Sequence, residues 1–107
     1  MISDSQFDEL VSTYKQYEWL LRRVVVSPDA VPPSNLTADV EIENGTVDAA
    51  WFSREPTEGE IAWEVRYLGP TQYALVEHLD EDSPDFEEKL RETEARLADA
   101  VAAKRFA

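Results

Sequence analysis

Carboxylates are the chemistry-bearing side chains of this chain, with 23 Asp and Glu against 10 Lys and Arg, a single His and no Cys. Glu41, Asp48 and Glu64 have the composition of an acid–base set or of oxygen ligands for a divalent ion. Spread over a flat, wet sheet they would keep near-ordinary pKa values, whereas catalysis asks for a cleft that perturbs them. Asp80, Glu81, Asp82 and Asp85 put oxygen ligands close together, but without the glycine and distal bidentate Glu of an EF-hand loop. Acids before a helix are explained by its dipole. His78 has no second imidazole and no serine in a nucleophile elbow, so it reads as a half-buried structural residue. Gly45, Gly59 and Gly69 each fall in an expected turn, leaving no glycine loop to cradle a phosphate. The expectation is a protein without catalytic residues, metal or cofactor.

The elements that must position these side chains follow from periodicity. Leu36, Ala38, Val40 and Ile42 alternate with Thr37, Asp39, Glu41 and Glu43, the pattern of a half-buried strand. Asn44-Gly45 then suggests a type I′ hairpin turn, with positive φ at both positions, setting Ile42 opposite Val47 and Val40 opposite Ala49. Strand two (46–53) directs Val47, Ala49 and Trp51 inward, and Asp48 and Phe52 outward. A loop through Pro56 and Gly59 leads to strand three (60–68), which points Ile61, Trp63, Val65 and Tyr67 inward. Pairing Trp51 with Trp63 sets Asp48 opposite Arg66. After Gly69-Pro70, strand four (71–78) places Ala74 and Val76 inward, Tyr73 and Leu75 outward.

Helices are expected at both ends. Residues 3 to about 26 carry an N-cap at Ser3, a capping box with Gln6 and a staple of Ile2 on Phe7. Phe7, Leu10, Val11, Tyr14, Tyr17, Leu21, Val24 and Val25 then form one apolar stripe, ended by Ser27-Pro28. The last helix starts at Ser83-Pro84 and carries a seam of Phe86, Leu90, Thr93, Leu97 and Val101, with Glu87–Arg91 and Glu92–Arg96 as i,i+4 pairs. Its alanines permit close approach to the sheet or to a second subunit, as in a homodimer. Asn35-Leu36-Thr37 fits a glycosylation acceptor pattern, read as chance in a chain without a secretory leader.

Together these give a single α+β domain over residues 1–107. It is a two-layer sandwich of helix, four-stranded antiparallel meander and helix, with both helices on one sheet face. The other face carries Asp39, Glu41, Glu43, Asp48 and Glu64, with Phe52, Tyr73 and Leu75 set among them.

The net charge of −13 disfavours direct binding to nucleic acid or to an anionic membrane. No apolar run approaches the ~20 residues of a spanning helix, and with no signal peptide the expected location is cytoplasmic. The leading functional expectation is a non-enzymatic module that docks on a basic protein surface, as an adaptor, inhibitor or immunity-type protein, in the extreme a nucleic-acid mimic. Two alternatives stand beside it. One is a ligand-binding or enzymatic domain with its pocket between the helices and the aromatic inner face of Trp51, Trp63, Tyr67, Tyr14 and Tyr17. The other is an acid-rich, lysine-poor chain from a high-salt cytoplasm, whose charge serves solubility rather than a partner.

Overall fold

The computed structural model of the protein describes residues 1–55 and 61–105. The turn expected through Pro56 and Gly59 lies outside the described residues. The N-terminal signals act as local chemistry dictates. In helix α1 (Asp4–Gln16) the Gln6 backbone N–H donates to Ser3 Oγ at 3.2 Å, and the Ser3 N–H donates to Gln6 Oε1 at 3.0 Å. Ile2 and Phe7 pack in one cluster, as a staple requires.

The helix ends ten residues before the expected stop, and the reason is local. Glu18 adopts φ of 69°, in the left-handed region, and turns the chain back on itself. Leu20–Val26 is then strand β1. Its last three residues, Val24, Val25 and Val26, are β-branched, stiff at χ1 and suited to a pleated sheet. The three-and-four spacing of Leu21, Val24 and Val25 imitates a helical stripe because β1 is buried on both faces. A strand covered on both sides loses its alternation.

The sheet has five strands in the order β2-β1-β3-β4-β5, and one pair is parallel. This corrects the four-stranded antiparallel meander, of which β3 (Ala49–Arg54), β4 (Ala62–Tyr67) and β5 (Ala74–His78) form the part that stands. Residues 36–40 are turn and loop, and strand β2 is only Glu41–Asn44. The hairpin at Asn44-Gly45 does not form. β2 runs parallel to β1, with Ile42 beside Val24, and β3 occupies the other side of β1. Neither Asn44 nor Gly45 lies in the left-handed region that such a turn requires. Gly45 instead passes across the end of β1, its N–H donating to Val26 O at 3.0 Å, and a Cβ there would lie 2.5 Å from Val25 Cγ1.

The helices pack on opposite faces, which corrects the one-sided sandwich. Phe7 of α1 clusters with Ala50 and Phe52, while Leu90 and Leu97 of helix α2 (Phe86–Arg105) cluster with Ala49 and Trp51. Successive residues of β3 point to opposite sides, so the sheet is roofed twice. The five residues of the expected α2 seam are buried. The tryptophans share the α2 face with ring centroids 6.4 Å apart, although the register pairs Trp51 with Val65 and Trp63 with Ser53. Arg66 therefore meets Ala50, not Asp48. In β5 the parity is reversed. Leu75 pairs with Val65 and packs with Tyr73 on the α2 side, while Ala74, Val76 and His78 look the other way and are exposed.

Candidate interaction surface

The eight residues expected on one open face are divided between two faces and a loop. Asp39 sits in the exposed loop before β2, its carboxylate accepting from the Thr37 hydroxyl, which together with its own backbone N–H lowers its pKa. Asp48, at the entry to β3, accepts from the Ser27 N–H at 2.8 Å and ties the end of β1 to the next strand. Phe52 is fully buried beneath α1, its ring stacked on Tyr14 at a centroid distance of 4.0 Å. Glu64 is its cross-strand partner. Tyr73 and Leu75 pack against the core on the α2 side. The open face expected from alternation is therefore covered by α1 together with Ala30, Leu36 and Val40 of the loop between β1 and β2. What stays uncovered is the flank formed by β4 and β5, with Glu64 and Arg66 half-buried beside exposed Ala74, Val76 and His78.

Glu41 and Glu43 are brought together, but by an arginine. A bulge at Arg22 puts two successive side chains on the α2 side of β1. Arg22 donates to Ser53 Oγ at 3.0 Å and to Glu81 at 2.8 Å, with its guanidinium 4.9 Å from the Trp63 ring centroid. Arg23 gathers Glu87 at 2.7 and 2.8 Å, Glu43 at 2.7 Å and Glu41 at 3.3 Å. Arg91 continues the chain of contacts to Glu43 at 2.7 Å and to Glu94 at 3.2 Å. Glu94 ends it in the core, 6% exposed, accepting from the Trp51 indole N–H at 2.8 Å.

The electrostatics of this network follow from depth. Burial raises the Glu94 pKa, against the pull of the Trp51 hydrogen bond and Arg91. The hydrogen bond from Arg23, then its charge, lowers the pKa of the shallower Glu87. Glu87–Arg91 and Glu92–Arg96 do not form the expected helical pairs: Glu87 turns to Arg23, Arg91 to Glu43, and Arg96 to Glu77 on β5. The network holds α2 on the sheet and is a structural device, since its donors and acceptors are already occupied.

Its consequence lies on the opposite side of α2. Among the described side chains of this helix, Arg91 and Arg96 reach the sheet, and Lys89 reaches Asp85, just before the first turn, 3.5 Å away. Exposed Glu88, Glu92 and Asp99 make no ion pair among the described residues. Their four- and seven-residue spacing aligns them as one acidic stripe, continued by exposed Asp80 and Asp82 in the preceding loop.

Alternation alone did not reveal Arg23, Arg91, Glu94 or this stripe. One signal was present. Glu94 stands between Leu90 and Leu97 at four and three residues, an acid within an apolar seam, which demands a buried donor.

Surface grooves of about 200 to 460 Å³ lie among the described residues; Tyr67 lines one of about 290 Å³ with Ala98 and Val101 of α2, while Trp51 and Trp63 line none of these five. No helix among the described residues is long and apolar enough to cross a membrane. Compared with protein-family models, with curated proteins and with solved structures, the chain matches none of them.

Proposed function

We propose that this protein is a non-enzymatic acidic interaction module that docks on a basic surface of another protein, with the outer face of α2 and the Asp80–Asp82 loop as its contact. The observation that carries the reading is how the cations of α2 are used. Arg91 and Arg96 are drawn to Glu43 and Glu77 of the sheet and Lys89 to Asp85, while exposed Glu88, Glu92 and Asp99 have no ion-pair partner among the described residues. An uncompensated row of one sign on a rigid helix steers an oppositely charged partner and fixes its register. An adaptor, an inhibitor of a nucleic-acid-binding protein and an immunity-type protein would all use such a row. The cytoplasm is the setting this reading assumes.

The test is capture of partners from native extract on the immobilised protein, at physiological ionic strength and again after charge reversal of Glu88, Glu92 and Asp99 to Lys. The reading requires a basic protein that is retained by the wild type, lost from the reversed protein and still held by a control reversed at Asp8 and Asp29. Retention of the same proteins by all three would assign the binding to bulk charge, and an empty column would leave solubility in brine as the better account of the acidity. Sedimentation in the same buffer separates a monomer from the homodimer that the Ala-rich helix face permits.

A further inference from the structure

Arg66 stands apart from every other arginine whose side chain is described. Arg22, Arg23, Arg54, Arg91 and Arg96 each have a carboxylate within 4.0 Å. Arg66 has none among the described residues, and its Nε is buried without a hydrogen-bond partner. In a chain with more than twice as many acids as bases, a partner for a half-buried guanidinium is easy to supply. Glu64, on its own strand and face, is engaged with the Tyr14 hydroxyl, whose pKa is raised by burial and then by Glu64. A buried donor left unmade costs about 1–3 kcal/mol, more for a charged group. A guanidinium that has no carboxylate among the described residues and lines a groove is available to an anionic acceptor from outside the chain.

The surroundings define what that acceptor looks like. Arg66 lines a groove of about 350 Å³ between α1 and the Gly69-Pro70 turn, near the lower end of the range for small-molecule sites. Ile2, Leu10 and Pro70 give it an apolar wall, and Gln6 and Gln72 add amide groups. A guanidinium presents a planar fork that matches a carboxylate or a phosphate. Charge decides between the two. Glu9 lines the same groove, and the whole molecule carries −13, so repulsion grows with each negative charge the ligand brings. A phosphate monoester, nearly dianionic at neutral pH, is penalised about twice as heavily as a carboxylate.

We propose that this groove is a binding site for a small monocarboxylate with an apolar body, its carboxylate on Arg66 and its body against Leu10 and Pro70. The site lies on the α1 side of the sheet and is independent of the acidic stripe on α2. Occupation would give Arg66 the counter-charge it lacks among the described residues and place the ligand in reach of the Gln72 amide.

The test is an NMR titration of the ¹⁵N-labelled full chain with benzoate and, separately, with inorganic phosphate, following the Arg66 Nε–Hε signal and the Gly69 and Gln72 amides. Benzoate should move these signals saturably, with Kd in the millimolar range, and phosphate should not. Arg66→Gln should weaken binding by at least about tenfold, the equivalent of one charge-assisted hydrogen bond. Arg66→Lys, which keeps the charge but loses the fork, should fall between. Because Arg66→Gln alters a half-buried position, Gln72→Glu serves as a second variant. It adds a carboxylate at the exposed rim and should compete with benzoate for Arg66. The proposal is overturned by an absence of saturable shifts in the wild type, by undiminished benzoate binding in Gln72→Glu or in a folded Arg66→Gln, or by phosphate binding as tightly as benzoate.

Discussion

A carboxylate at 6% exposure is tolerable in this core because Trp51 and Arg91 both reach it, and that makes Glu94 the residue whose ionisation bears most directly on stability. Its folded pKa is raised, so its contribution favours the native state below the titration range of an unfolded glutamate and is lost as pH rises through the folded value. Glu87 has the opposite sign. Its lowered folded pKa stabilises above the unfolded range, and that contribution disappears as pH falls. Glu94→Gln retains an oxygen for the Trp51 indole and cannot titrate. Relative to wild type, the variant should therefore gain stability as pH is raised from about 4 to about 7, measured by urea unfolding followed through tryptophan fluorescence. A pH-independent difference would mean that folding leaves the Glu94 carboxyl titrating as it does in the unfolded chain. Glu94→Ala removes the acceptor altogether and should cost about 1–3 kcal/mol at either pH. The sequence disclosed Glu94 only as an oddity within a seam. Its donors come from positions 43 residues upstream and three residues upstream on the same helix, and only the first is invisible to helical spacing.

At the scale of elements, what was legible and what was not divide along a physical line. Local chemistry was readable: the Ser3–Gln6 capping box, the α2 seam and the β3–β4–β5 order are properties of neighbouring residues. The central strand was hidden, because Leu20–Val26 is covered on both sides and so has no polar face to announce its period. With β1 missing, Glu41–Asn44 had no partner but the next strand, and the hairpin followed. Phe52 was expected in water because both helices were expected on the other face, and Leu75 because β5 has the opposite parity to the one alternation suggests. Gly45 shows the same contrast. Its reason for being glycine is not φ but room, since Val25 fills the space a Cβ would take. Gly45→Ala should cost about 1–3 kcal/mol by overpacking against a stiff, buried valine, read as a lower midpoint in chemical denaturation. Gly45→Ala combined with Val25→Ala should recover part of that loss, whereas purely additive losses would refute the contact.

For the molecule as a whole, charge is the dominant variable. A net −13 on a body with principal extents of 37 × 27 × 23 Å repels itself, and salt relieves that repulsion. The thermal midpoint should rise between dilute buffer and about 0.15 M salt, where the screening length falls to ~8 Å, and then change little. A continued rise through molar salt would be the mark of a protein built for brine. Binding to a basic partner should behave oppositely, with association slowing as salt increases. The two salt dependences, measured on one preparation, separate a charge that serves solubility from a charge that serves recognition. The carboxylate-rich composition was plain in the sequence. Its partition into paired acids beneath α2 and unpaired acids above it required the fold.

The position of β1 in the sheet also bears on how the chain is made. Its two neighbours, β2 and β3, are both translated after it, so Val24, Val25 and Val26 emerge from the ribosome with neither edge satisfied. At ~5–20 residues per second the nascent strand waits on the order of seconds for Ala49–Arg54 to arrive. A bare β-branched run is a seed for aggregation during that interval. Arg22 and Arg23 stand directly before it, where charged gatekeepers are most useful. The same two arginines that later hold α2 and the loop before it thus guard the most vulnerable segment until its partners are synthesised.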